Sequence, residues 1–127
     1  MGYPKKPVVL VVDDTIANIR ILDDLLRGEY TVRVATNGAT ALRLALPDPR
    51  PDIVLLDIMM PDMDGYEVCR RLKSDPLTSN IAVVFITAMG NEEHEAKGLD
   101  LGAVDFIAKP SQPRLVRARV SNHVALK

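Results

Sequence analysis

Three short segments of this chain are apolar without a break: Val8-Val9-Leu10-Val11-Val12, Ile53-Val54-Leu55-Leu56 and Ala82-Val83-Val84-Phe85-Ile86. A strand with one wet face alternates polar and apolar side chains, so an unbroken β-branched run marks a strand covered on both faces. Such strands belong to a parallel sheet with helices packed above and below it. Thr31-Val32-Arg33-Val34-Ala35 alternates and reads as a strand nearer an edge. Ala103-Val104-Asp105-Phe106-Ile107-Ala108 is a fifth, shorter candidate.

Helical patterns fill the gaps. From Thr15 to Arg27, Ile16, Ile19, Leu22 and Leu26 share one face, and Gly28 supplies a stop. Ala39 to Leu46 is rich in Ala and Leu and ends at Pro47; Asp64 caps a helix whose inner face holds Val68 and Leu72. Asn91 caps a stretch to Leu101, and Pro113 opens a last helix lined by Leu115, Val116, Val120 and Val124. Strands alternating with helices predict an α/β fold, a doubly wound parallel sheet in a three-layer αβα sandwich.

Composition narrows the function. At 127 residues the chain has room for one core, and a net charge of −1 excludes a globally basic nucleic-acid binder. With 4% aromatic residues and no Trp, stacking on bases or sugars is not its chemistry. The lone Cys69 can form no internal disulfide, and no apolar run approaches membrane-spanning length. A cytoplasmic, single-domain protein is the expectation. The near-neutral total hides an asymmetry: Phe106 to Lys127 carries Lys109, Arg114, Arg117, Arg119 and Lys127 and no acid, leaving residues 1–105 at −6.

In doubly wound folds chemistry gathers where the carboxyl ends of the strands meet a reversal of strand order. The first strand runs into Asp13-Asp14, the third into Asp57, the fourth into Thr87 and the fifth into Lys109-Pro110. Taken singly these are ordinary: Asp13 or Asp14 as a helix cap, Asp57 as a turn opener, Thr87 as strand composition, Lys109 as a solvated charge. Together they put carboxylates, a hydroxyl and an ammonium on one sheet edge. Carboxylates that converge repel unless a cation lies between them. Oxygen-only donors favour a hard ion, Mg²⁺ with Mn²⁺ as the alternative. A carboxylate beside such an ion, with Lys and Thr donors at hand, suits attack on phosphorus to give an aspartyl phosphate.

These segments carry a resemblance. Val11-Val12-Asp13-Asp14, Leu55 through Gly65 (LLDIMMPDMDG), Ile86-Thr87-Ala88 and Gly102 through Pro110 (GAVDFIAKP) occur in the order found in receiver domains of two-component response regulators. The chain resembles that family from about Val8 to Leu126, which implies strand order 2-1-3-4-5 of the flavodoxin-like type and one receiver domain over 1–127, with 1–7 as an N-terminal arm. The resemblance further implies that Asp57 accepts a phosphoryl group from a histidine kinase or histidine phosphotransfer protein. Asp14 and Asp57 would bind the metal directly, Asp13 largely through water, and the backbone carbonyl of Met59 would add a ligand. Lys109 would contact the phosphoryl group, with a Lys109–Pro110 bond often cis in the family. Thr87 and Phe106 would form the switch, read on the surface of the fourth helix, fifth strand and fifth helix by an output domain, a partner or a second copy. On this reading the chain is a phosphoacceptor signalling switch that assists its own phosphorylation and dephosphorylation, not an enzyme proper.

Several positions depart from the family pattern or stay open. Phe106 stands where Tyr is also common and has no hydroxyl to report its state. Ser111 replaces a frequent apolar residue and loosens the approach to the last helix. Met59 either shields an acyl phosphate from water or merely covers the loop. Ala17, Ile21 and Leu25 form either a docking patch for the phosphodonor or a wide core stripe. Cys69 reads as a core filler, and His94 and His123 as surface residues. The segment from Arg114 to Lys127 resembles receivers fused to cyclic-di-GMP enzymes or to sensor kinases.

Three other classes fit less well. An aspartyl-nucleophile phosphohydrolase usually places a second Asp two residues after the nucleophile, where this chain has Met59. A flavin-binding protein needs a phosphate loop where Asp13-Asp14-Thr15 stands. A degenerate receiver used only for dimerisation has no need of an intact acid pair, acceptor, Thr and Lys.

Overall fold

The computed structural model describes residues 6–88, 91–109 and 112–126. Strands β1 (Val8–Val12), β2 (Thr31–Ala35), β3 (Ile53–Leu56), β4 (Ala82–Thr87) and β5 (Asp105–Ala108) alternate with helices α1 (Ile16–Leu26), α2 (Gly38–Leu44), α3 (Gly65–Ser74), α4 (Glu92–Asp100) and α5 (Pro113–Ala125). All strand pairs are parallel, in the order β2-β1-β3-β4-β5. The doubly wound fold expected from the apolar runs is the one observed, and the alternating segment β2 is an edge strand as its pattern required.

Side-chain alternation along the strands builds two cores. Val9, Val11, Ile53, Leu55, Val84 and Ile86 face α1 and α5, where Ile19, Leu22, Leu26, Val116 and Val120 meet them. Leu10, Val12, Val54, Leu56, Val83 and Phe85 face the opposite way, onto Ala41, Val68, Cys69 and Leu72 of α2 and α3. Every residue of β1, β3 and β4 is buried. At about 25 cal/mol per Å² of apolar surface, these central strands supply the main drive to fold.

Four local expectations need correction. Ile16 is 61% exposed, because the first residue of α1 overhangs the sheet end and the inward stripe begins at Ile19. Leu115 is 40% exposed, because Val116 and Val120, four residues apart, already occupy the inner line of α5. Helix α2 starts at Gly38, one residue early, where the Asn37 side chain accepts from Thr40 N at 2.8 Å. Strand β5 starts at Asp105 rather than Ala103, whose N–H is taken by Gly98 O at the end of α4 (3.2 Å). The caps by Asp64 and Asn91 form as expected, to Glu67 N at 2.9 Å and His94 N at 3.0 Å. The Lys109–Pro110 bond and the effect of Ser111 fall outside the described residues, as does most of the 1–7 arm.

A candidate phosphoacceptor site at the strand ends

The register levels the strand ends. Val12 pairs with Leu56 and Thr87 with Ala108, so the residues that follow stand side by side. Backbone bonds continue past the strands: Asp13 N donates to Ala35 O (3.1 Å), Asp57 N to Val12 O (2.9 Å) and Lys109 N to Thr87 O (2.8 Å). Each side chain therefore leaves a hydrogen-bonded backbone, and the site is held by the sheet itself.

Asp13 and Asp57 are buried and Asp14 is exposed at the mouth, with one carboxylate oxygen from each lying within 4.8 Å of the others. The Lys109 ammonium contacts Asp13 Oδ2 at 2.6 Å and Asp57 Oδ2 at 3.4 Å. It is no solvated charge: its side chain is 20% exposed. Asp13 Oδ1 accepts from Thr15 N (2.9 Å) and Oδ2 from Asn18 Nδ2 (3.3 Å), so it binds the start of α1 while facing the site. Asp57 Oδ1 also lies 3.4 Å from Met59 N. Thr87 is fully buried at the end of β4. Three carboxylates against one nearby ammonium leave an excess of negative charge on oxygen donors, which fits a hard divalent cation.

The β3–α3 loop is braced against Asp57 and Ile58. Asp62 takes φ 70, a left-handed conformation Asp tolerates better than most residues. Gly65 N donates to Ile58 O at 2.8 Å, and a Cβ on Gly65 would lie 2.1 Å from Asp57 O, so only glycine fits there. Met59 is 60% exposed and, with Asp14, Met60, Pro61, Tyr66 and Lys97, lines an open groove of about 480 Å³ beside the acids. Of the expected first-helix patch, Ile21 is exposed while Leu25 is partly buried against the core.

Phe106 packs inward, its ring 6.0 Å from that of Phe85. Cys69 is buried, and that burial pushes its thiol up to about 11, in keeping with a filler. The two histidines are not plain surface residues. His94 Nδ1 lies 3.0 Å from the Tyr66 hydroxyl, and His123 Nε2 lies 3.0 Å from Asp105 Oδ2. Asp105 also takes both oxygens to Arg119 Nη1 at 2.7 Å. Burial works against its charge, yet hydrogen bonds from His123, Arg119 and Phe106 N hold its carboxyl below the usual range. The signal was present in sequence: Arg119 and His123 are four apart on one helix face, toward the acid of β5.

Residues 9–121 match the family described as the response regulator receiver domain. The chain is 48% identical over 120 residues to the response regulator PleD of Caulobacter vibrioides, covering 94% of this chain and 26% of that protein. It is 41% identical over 119 residues to a probable cyclic di-GMP phosphodiesterase of Vibrio cholerae, covering 94% and 27%. Among solved structures, the BeF₃-activated receiver domain of DrrB from Thermotoga maritima superposes with a TM-score of 0.85 at 28% identity, covering 94% of this chain and 98% of that one. This chain belongs to the receiver domains of two-component response regulators, signalling domains with a CheY-like, flavodoxin-like fold. It spans about a quarter of the length of the two curated relatives. Among the described residues no helix is long and apolar enough to cross a membrane.

Proposed function

We propose that Asp57 accepts a phosphoryl group from a phosphohistidine on a histidine kinase or phosphotransfer protein. The observation that carries this reading is the meeting of three carboxylates within 4.8 Å with the Lys109 ammonium 3.4 Å from Asp57. An Asp57 carboxylate oxygen attacks phosphorus, the P–N bond breaks, and the imidazole leaves with the electron pair. Lys109 stands ready to offset charge on the phosphoryl oxygens, and the Thr87 hydroxyl to donate once they arrive. Asp13, Asp14, Asp57 and the Met59 carbonyl are the groups that would hold Mg²⁺. When bound, the ion supplies the positive charge that the carboxylates and the incoming phosphoryl group both need. In this sense the domain assists its own phosphorylation and dephosphorylation without being an enzyme proper.

Thr87 and Phe106 would report the phosphorylated state to the surface of α4, β5 and α5, for an output domain, a partner or a second copy to read. The 41% likeness to a probable cyclic di-GMP phosphodiesterase supports cyclic-di-GMP signalling as the output. Cytoplasmic placement and a single domain over 1–127, after an arm at 1–7, belong to the same reading.

The test is adduct formation with Mg²⁺ and beryllofluoride, followed by ¹⁹F NMR. Wild type is expected to give a metal-dependent adduct and Asp57→Asn none; no adduct on wild type would sink the reading. Sizing the same samples with and without the mimic reads self-association.

A further inference from the structure

Helix α4 has a weak seat. Gly98 is its one buried residue among those described, against three on α1 and five on α3. Where α4 sits is therefore decided by few contacts. One is Gly98 itself, which lies so close to Phe85 that a Cβ would come within 2.8 Å of the ring. Another is Tyr66, on the first turn of α3. Its hydroxyl meets His94 Nδ1 at 3.0 Å and donates to the His94 carbonyl at 3.2 Å, while the two rings stack at 6.4 Å. Lys97 of the same helix places its ammonium 4.4 Å over the Tyr66 ring. Three residues spread over α4 thus converge on α3 and β4.

The opposite end of this contact touches the acceptor. Tyr66 follows Gly65, whose backbone is pressed on the Asp57 carbonyl and bonded to Ile58 O at 2.8 Å. A shift of the acceptor loop must displace Gly65 and with it the first turn of α3. Tyr66 is also edge-on to Phe85 at 5.6 Å, in the same aromatic group as Phe106, which has no hydroxyl. In that group the phenol that can anchor α4 is Tyr66.

We propose that Tyr66 is a positioning residue of the switch, whose hydroxyl carries displacement of the acceptor loop to α4 through His94. This rests on reading Asp57 as the phosphoacceptor. Coupling then runs on two lines: one through Thr87 and Phe106, the other through α3.

Hydrogen exchange of the 127-residue chain with Mg²⁺, with and without beryllofluoride, tests this, using wild type, Tyr66→Phe and His94→Ala. Tyr66→Phe keeps the ring and its packing and removes only the hydroxyl. It is expected to form the adduct and keep the exchange change over residues 58–65, while losing at least half of the change over residues 92–101. His94→Ala is expected to act in the same direction, and the double variant to lose no more than Tyr66→Phe alone. A structural role would speed α4 exchange equally with and without adduct and leave the difference intact; that result overturns the proposal. So does a wild-type α4 that does not respond to adduct formation. If wild type forms no adduct at all, the phosphoacceptor reading falls first.

Discussion

Asp105 entered the sequence reading only as part of the fifth strand candidate, and the fold gives it an exacting set of partners. Arg119, His123 and Phe106 N all bond to its carboxylate. Its carboxyl is held below the ordinary value, burial opposing and those three partners prevailing. A depressed carboxylate stabilises the fold above its unfolded pKa, about 3.9, and loses that contribution as pH falls through the folded value. Urea unfolding from pH 6 downward is therefore expected to show wild type more stable than Asp105→Asn, the gap closing below about pH 3.9. A gap that persists at pH 2 would mean Asp105 acts through packing rather than charge. Asp13, Asp14, Asp57, Thr87 and Lys109 were legible as candidates because each follows an apolar run, a feature visible in one dimension. His94 was not, because its partner Tyr66 lies 28 residues away and only the fold brings the two together. For His123 the i, i+4 spacing to Arg119 was visible and the acid they share was not.

Among elements, the strands were the most readable and the helix faces less so. An unbroken apolar run has one explanation in a layered fold, whereas a helical stripe tells which side is wet only after the sheet beneath it has an extent. Helix α1 is the case in point: Ile16 and Leu26 sit on the same face by periodicity, but only Leu26 has strands under it. Leu26→Ala is expected to cost about 2–5 kcal/mol by denaturant unfolding, and Ile16→Ala to stay within about 0.5 kcal/mol. Equal losses would show that the first turn of α1 is covered in solution. The bounds of α2 and β5 moved for a related reason, competition for backbone donors. Asn37 captures Thr40 N and so opens α2 early, while the end of α4 captures Ala103 N and so delays β5.

For the molecule as a whole, charge and topology meet at one place. The basic excess after Phe106 includes Lys109 at the acid site and Arg117, which reaches back to Glu29 near the end of α1 (2.8 Å). The nearly balanced total thus divides into an acidic mouth and a basic last helix. An ion that binds only the folded site must raise its stability, by about 2.7 kcal/mol at a hundred times the dissociation constant. Mg²⁺ is expected to raise Tm reversibly, EDTA to return it, and Asp14→Asn to abolish most of the shift while leaving the metal-free Tm unchanged or higher. No Mg²⁺ dependence in wild type would remove the metal from this site.

The strand order also sets a sequence in time. β1 lies inside the sheet and pairs with β3, so a chain synthesised only through residue 57 can already bring Asp13 beside Asp57. The ammonium that offsets them stands at the end of β5, the fifth of the sheet's strands in chain order. Until that strand docks, the two carboxylates stand without the Lys109 ammonium that bridges them in the finished sheet. If the acid site takes a divalent ion as proposed, such an ion would stand in for that ammonium while the sheet is still incomplete.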